Sequence, residues 1–330
     1  MDNLDAILSQ YDKNLSTYTN CSNSLKSLLI SIFESEGIIV HSVSSRVKER
    51  NSLENKTKQK NKYQSINDIT DIVGVRIITH YSDDVDKVSN LIEREFNIDS
   101  ANSIDKRASL EPEKFGYLSV HYVARFNNDR DKLLEYQPFK KIKFEIQIRS
   151  ILQHTWAEIE HDTGYKTETD IPAHIRRQFS RLAGLLEIAD SEFIRIRNSL
   201  ESYADEVNTK IENSTEELLI DSVTLEQFIK NNSYVIQLTE NIENVFGGKS
   251  HEIDRDTISR YINELSTYDI KSISQLLDAL KEHEDAIMEH SNNVYEKLKD
   301  KIAISQLDTF LIGGVAIYYL INILEGNISE

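Results

Sequence analysis

The segment KFEIQIRSILQHTWAEIEHDTGYK, from Lys143 to Lys166, carries an unusual density of polar groups around the single tryptophan of the chain. Its first part alternates. Ile142, Phe144, Ile146 and Ile148 share one parity, and Lys143, Glu145, Gln147 and Arg149 share the other. Successive side chains of a strand point to opposite faces, so a carboxylate, an amide and two cations fall together on one face. Such a face is either open to solvent or lines a site. GYLSVHY repeats the pattern, with Tyr117, Ser119 and His121 on one parity against Leu118, Val120 and Tyr122. A phenol, a hydroxyl and an imidazole on one face can stack on a base and bind phosphate or ribose, although an ordinary exposed sheet face reads the same way. Two such strands close in sequence favour a site.

The residues after Arg149 change period. Leu152, Trp156 and Ile159 are spaced i, i+4, i+7 and are expected to face a core. His154, Glu158 and His161 have the same spacing on another face and could ligate a transition metal. The HExxH arrangement is absent, because Glu158 stands at the wrong offset between the histidines. His161 and Asp162 form a lone HD pair, without the further histidines and aspartates that metal phosphohydrolysis needs. The expectation is therefore a set of polar groups rimming a nucleotide site or hydrogen-bonded to the core.

These residues need elements to hold them. Leu4, Ile7 and Leu8, then Leu25, Leu28, Leu29, Ile32 and Phe33, recur at helical spacing within residues 1–40. IIVHSV (38–43) and DIVGVRIIT (71–79) read as strands, the second apolar enough for burial on both faces. SDDVDKVSNLIEREF opens on a capping cluster and sets Val85, Val88 and Ile92 on one helical face. Strand, helix, strand, strand, helix predicts a mixed sheet covered by helices. Asp71 and Arg76 have opposite parity, so either Asp71 precedes the strand or Gly74 marks a bulge. Residues 46–62 form a basic island of seven lysines and arginines against Glu49 and Glu54, suited to a compact polyanion or else to a solvated helix face.

From Pro172 the character changes. Ile175, Phe179, Leu182, Leu186, Ala189, Phe193, Ile196, Leu200, Tyr203 and Val207 alternate spacings of four and three, an a/d seam opened by a proline suited to a first helical turn. The expected division is residues 1–171, an α+β domain, and 172–330, an all-α region with a long helix over 172–211 followed by a bundle. The long helix is expected to pack within the chain or to join a homo-oligomer. The chain has 330 residues, 39% hydrophobic and 28% charged, with 10 glycines and 3 prolines, which suits long helices and a sizeable core. Its one cysteine, Cys21, excludes an internal disulfide and a CxxC zinc site and fits a reducing, cytoplasmic setting. The apolar run 310–324 is shorter than the ~20 residues of a membrane span, so a core helix and no membrane partner are expected. A net charge of −17 disfavours general nucleic-acid binding.

DIVGVR, KFGYLSVHY, FEIQIRSILQHTWAEIEH and GYK, in that order and preceded by VSSRVKERNSLENK, resemble the synthetase domain of the RelA/SpoT alarmone synthetases. The resemblance covers about residues 40 to 170. It implies a nucleotidyltransferase-like fold that moves the β,γ-pyrophosphate of ATP to the 3′-hydroxyl of GDP or GTP with Mg²⁺. By motif, Asp71 looks like the Mg²⁺ ligand, and Glu145 like the carboxylate that activates the 3′-hydroxyl and helps hold the metal. Tyr117 resembles the tyrosine that stacks on guanine, and His121 the histidine that contacts phosphate beside it. Arg46 matches the arginine that stacks on adenine, and Lys48 and Lys56 the triphosphate-binding lysines. Arg76 matches a further position on the ATP side, and Gln147 and His154 positions on the guanine-nucleotide side. No hydrolase-like domain precedes these motifs, so a single-activity synthetase is expected. Some relatives of the domain instead pyrophosphorylate adenosine nucleotides or the 3′ end of tRNA, which keeps those acceptors as an alternative. A non-catalytic nucleotide-binding scaffold is a second alternative.

Overall fold

A computed structural model describes residues 3–60, 63–105, 119–163, 172–213, 218–299 and 311–326. The chain forms two compact units, Met1–Ile196 and Arg197–Glu330. Their limit lies inside one helix, whereas the change of sequence character at Pro172 lies just ahead of that helix.

The first unit is built on a six-stranded mixed sheet ordered β1 (Ser42–Val47), β2 (Val73–Thr79), β6 (Phe144–Ser150), β5 (Val120–Phe126), β3 (Phe96–Ile98), with β4 (Ile104–Asp105) also paired to β5. β2 and β6 run parallel, and the other pairs are antiparallel. The alternation read from the sequence governs the sheet. Val73, Val75, Ile77, Phe144, Ile146 and Ile148 are buried. They join one apolar cluster with Leu25, Leu29 and Phe33 of α1 (Asn3–Ser35) and Val85, Val88 and Ile92 of α3 (Asp84–Glu95). The opposite parity is left for polar side chains.

Two expectations shift by a few residues. The first strand begins at Ser42, not at residue 38, and Ile39 is 78% exposed. The cause is the end of α1. Gly37 adopts the left-handed region (φ 65°), and the Ile38 N–H bonds the Phe33 carbonyl at 2.9 Å. This is a Schellman stop, so the next residues carry the chain into the sheet instead of pairing within it. In α4 (Ile151–Asp162) Trp156 is buried, but Ile159 is 49% exposed, against the core position its spacing suggested. Ile159 falls a turn beyond Trp156, past the part of α4 that packs on the unit.

Helix α5 (Ala173–Asn213) matches the expected long helix. Its heptad seam is only partly covered: Leu182, Phe193, Ile196 and Leu200 are each more than half exposed, Val207 of the seam is buried, and so are Ala183 and Asp190, which lie off it. The second unit holds α6 (Ser222–Asn231), α7 (Ser233–Phe246), α8 (Arg255–Thr267), α9 (Ile273–Glu282), α10 (Glu284–Leu298) and α11 (Val315–Leu324) around Phe228, Ile242, Tyr261, Leu265, Leu276 and Leu320. Four of these helices start on Asp221, Asn232, Asp254 and Ser272, whose side chains accept from backbone N–H groups of the first turn. α11 is buried in this core, as its composition suggested. Among the described residues no helix is long and apolar enough to cross a membrane.

Candidate functional site

Strand register assembles the site. Ser44 on β1, Arg76 on β2, Gln147 on β6 and His121 on β5 form one row across the sheet, and Arg46, Gly74 and Glu145 form the next. All lie on the face away from the apolar cluster. Gly74 leaves a gap in the second row. A Cβ there would meet only the Arg46 side chain, at 3.9 Å, so a recess opens between Arg46 and Glu145. Arg46, Asp71, Arg76, Glu145 and Gln147 line it together with Ser44 and Ser45.

The pairing of β2 with both neighbours runs unbroken through Gly74, so no bulge is present. Asp71 instead precedes the strand, which frees it from strand parity and lets it reach the recess. Its Oδ2 is bonded by Lys56 Nζ at 2.7 Å and Lys48 Nζ at 3.1 Å. Its Oδ1 is buried and has no hydrogen-bond partner among the described residues. Burial raises the Asp71 carboxyl, but the two ammonium groups more than reverse this and hold it below the usual carboxylate value. Lys48 and Lys56 are thus singled out from the basic island. Arg50 and Lys58 pair locally with Asp12 and Glu54.

Glu145 is gripped at both oxygens. His121 Nδ1 lies 2.9 Å from Oε1, and Gln147 Nε2 donates to Oε2 at 3.0 Å. Burial pushes its carboxyl up, the His121 and Gln147 contacts bring it down past the ordinary value, and the nearby charge of Asp71 opposes them. The chain of contacts continues outward. Ser119 Oγ is 2.6 Å from His121 Nε2, and Arg149 Nη2 donates to Gln147 Oε1 at 2.7 Å. Burial, then the neighbouring Arg76, pushes the Arg149 guanidinium down to about 10, so it stays a cation at neutral pH.

His154 stands at the edge of this group. Arg76 Nη1 pairs with Glu158 Oε1 at 3.0 Å, and His154 Nδ1 is 3.7 Å from the same oxygen. Burial, then Arg149 and Arg76, hold the His154 imidazole below its ordinary value, which keeps it neutral at neutral pH. α4 is fixed by a reciprocal cap. Ser150 N–H bonds Gln153 Oε1 at 2.8 Å, Gln153 N–H bonds Ser150 Oγ at 3.2 Å, and the same hydroxyl donates to Asp190 of α5 at 3.0 Å. Trp156 stacks edge-on against Phe179, centroids 5.5 Å apart.

Nine of the ten residues singled out by sequence therefore belong to one connected constellation. The tenth, Tyr117, lies outside the described residues. Ser119, Arg149 and Glu158 also belong; strand parity groups Ser119 with His121 and Arg149 with Gln147, and helical spacing groups Glu158 with His154, without a specific role for any of the three. Among the described residues no three His, Cys, Asp or Glu side chains gather as a protein-only metal site. Asp71 and Glu145, one with a bare buried oxygen, suit a hard divalent ion such as Mg²⁺. That ion takes one or two carboxylates and completes its shell with water and substrate phosphates.

The chain is similar to known proteins over this region. A family model described as the region found in RelA/SpoT proteins matches residues 45–170. The GTP pyrophosphokinase YwaC of Bacillus subtilis (strain 168) is 26% identical over 211 residues, 61% of this chain and 97% of that protein. The GTP pyrophosphokinase YjbM of the same organism is 27% identical over 201 residues, 58% of this chain and 90% of that protein. Among solved structures, small alarmone synthetase 1 from Bacillus subtilis is 26% identical, with a TM-score of 0.49 over 58% of this chain and 98% of its own.

Proposed function

We propose that this chain, whose residues 45–170 form a synthetase region of the RelA/SpoT type, is a pyrophosphokinase that transfers the β,γ-pyrophosphate of ATP to the 3′-hydroxyl of GDP or GTP. The observation that carries this reading is the recess in which Glu145 and the lysine-held Asp71 lie among Arg46, Arg76 and Gln147. Pyrophosphoryl transfer needs charge neutralisation and alignment more than covalent help from the protein.

In this reading Glu145 accepts the proton of the 3′-hydroxyl. The 3′-oxygen then bonds to the β-phosphorus of ATP, the bond from that phosphorus to the α,β-bridging oxygen breaks, and AMP leaves. Arg46 and Arg76 with Lys48 and Lys56 bind and neutralise the triphosphate, and the planar Arg46 cation is suited to stacking on adenine. Gln147 and His154 serve the acceptor side, and Tyr117 stacks on its guanine. Asp71 with Glu145 would hold Mg²⁺, which would supply charge neutralisation at the transferring phosphates.

The test is to incubate γ-labelled ATP with GDP, GTP, AMP, ATP or tRNA in parallel and to separate the products. The expected result is labelled guanosine product with AMP release that depends on GDP or GTP. Equal AMP release without an acceptor overturns the reading. Label on AMP, ATP or tRNA moves the reaction to another acceptor.

A further inference from the structure

We infer that Ser119 and His121 form a positioning relay that fixes the carboxylate of Glu145, an inference that rests on the transfer reaction proposed above. The carboxylate sets the direction of the first hydrogen bond. An ionised carboxylate only accepts, so the His121 nitrogen 2.9 Å from Glu145 Oε1, Nδ1, must carry the hydrogen. In the neutral ring the other nitrogen, Nε2, then holds a lone pair, and the Ser119 hydroxyl 2.6 Å away donates to it. Gln147 donates to the second carboxylate oxygen at 3.0 Å, and Arg149 orients Gln147 from behind at 2.7 Å. Glu145 is thus held from both sides, with its remaining lone pairs available to the recess.

Ser119 matters because an imidazole has two neutral tautomers. Without a donor at Nε2 the ring can carry its hydrogen there and turn a lone pair toward the carboxylate, which repels it. A second-layer hydrogen bond that selects the tautomer is the ordinary means of fixing a histidine against a partner. Both ring nitrogens of His121 are engaged by protein in this arrangement, which is how it acts through Glu145.

Steady-state kinetics of the full chain read this directly. Removal of the hydroxyl in Ser119→Ala is expected to lower kcat by about ten- to a hundredfold, the scale of a slightly misplaced reacting group, with KM for both nucleotides unchanged. Ser119→Thr keeps a hydroxyl and keeps kcat. An asparagine amide at 121 can donate to Glu145 without help from Ser119. His121→Asn is therefore expected to lose less kcat than His121→Ala, and adding Ser119→Ala to it costs nothing further. An unchanged kcat in Ser119→Ala, or losses that simply multiply in the double variant, overturns the relay. So does a rise in acceptor KM at constant kcat in His121→Asn, because that is what a phosphate ligand would give.

Nitrogen-15 spectra of the ring separate failure of the relay from failure of the reaction. The His121 signals, identified by their absence in His121→Asn, are expected to show a protonated Nδ1 and a bare Nε2, and to lose that preference in Ser119→Ala. If the preference is found while no acceptor is pyrophosphorylated, the relay stands and the proposed reaction falls. If wild-type protein shows no preference, the relay falls whatever the kinetics.

Discussion

At the scale of single residues, Glu145 and Asp71 occupy one recess in opposite circumstances. Glu145 has a donor at each oxygen, whereas Asp71 has both lysines on Oδ2 and, among the described residues, no hydrogen-bond partner on Oδ1. The first arrangement suits a group that must keep its orientation while taking a proton, and the second suits a group with an oxygen to offer a metal. Glu145→Gln keeps the shape but cannot accept a proton, so kcat is expected to fall about 10²- to 10⁴-fold, the usual worth of a general base. Nucleotide affinity, followed by calorimetry, is expected to change little. Undiminished turnover, or equal losses in binding and turnover, would remove Glu145 from the role of base. Strand parity made Glu145, Gln147 and His121 legible as one face from the sequence. It could not place Asp71, whose position ahead of β2 depends on where pairing starts, nor reveal that Arg46, Lys48 and Lys56 turn toward the recess while Arg50 and Lys58 pair locally.

At the scale of elements, period marked the helices and strands better than it marked their limits or their covered faces. The run 310–324 reads as one apolar helix, but α11 begins only at Val315 because Gly313 and Gly314 precede it. A Cβ on Gly313 would fall 2.4 Å from the Ile253 Cα and 2.6 Å from its nitrogen, and the Gly313 carbonyl accepts from Tyr261 at 3.1 Å. Backbone this close cannot yield cheaply. Gly313→Ala is expected to destabilise the second unit by about 1–3 kcal/mol, as overpacking does, seen as a lower urea midpoint; an unchanged midpoint would mean the segment relaxes freely. The heptad seam of α5 shows the converse limit, since period predicts an apolar stripe but not what covers it. Leu182, Phe193 and Ile196 remain exposed at a/d spacing, and such a seam is matched by another of its kind, so the expected partner is a second copy of the chain. Leu182→Glu with Phe193→Glu is expected to lower the mass seen by sedimentation while the helical circular dichroism of the chain is kept. A wild-type monomer at all concentrations would rule this assembly out.

At the scale of the whole molecule, charge bears on which acceptor the site serves. The chain carries −17 overall, yet Arg46, Lys48, Lys56, Arg76 and Arg149 converge on one recess. Screening at physiological salt confines electrostatic attraction to about 8 Å, so a small polyphosphate inside the recess is governed by these five cations. A tRNA is a different case, because its affinity grows with the number of phosphates neutralised over a wide surface. Apart from this cluster, an acidic exterior offers repulsion over most of such a footprint. Wild-type protein is therefore expected not to retard tRNA in a gel-shift experiment at about 0.15 M salt, conditions under which nucleic-acid binding is already strongly weakened. In the same buffer the ATP analogue with a non-transferable β,γ-group is expected to bind, and Lys56→Gln to weaken it. Retention of tRNA, with a slope against salt that reports several phosphate contacts, would reverse the order of acceptors. It would require a basic surface beyond the recess.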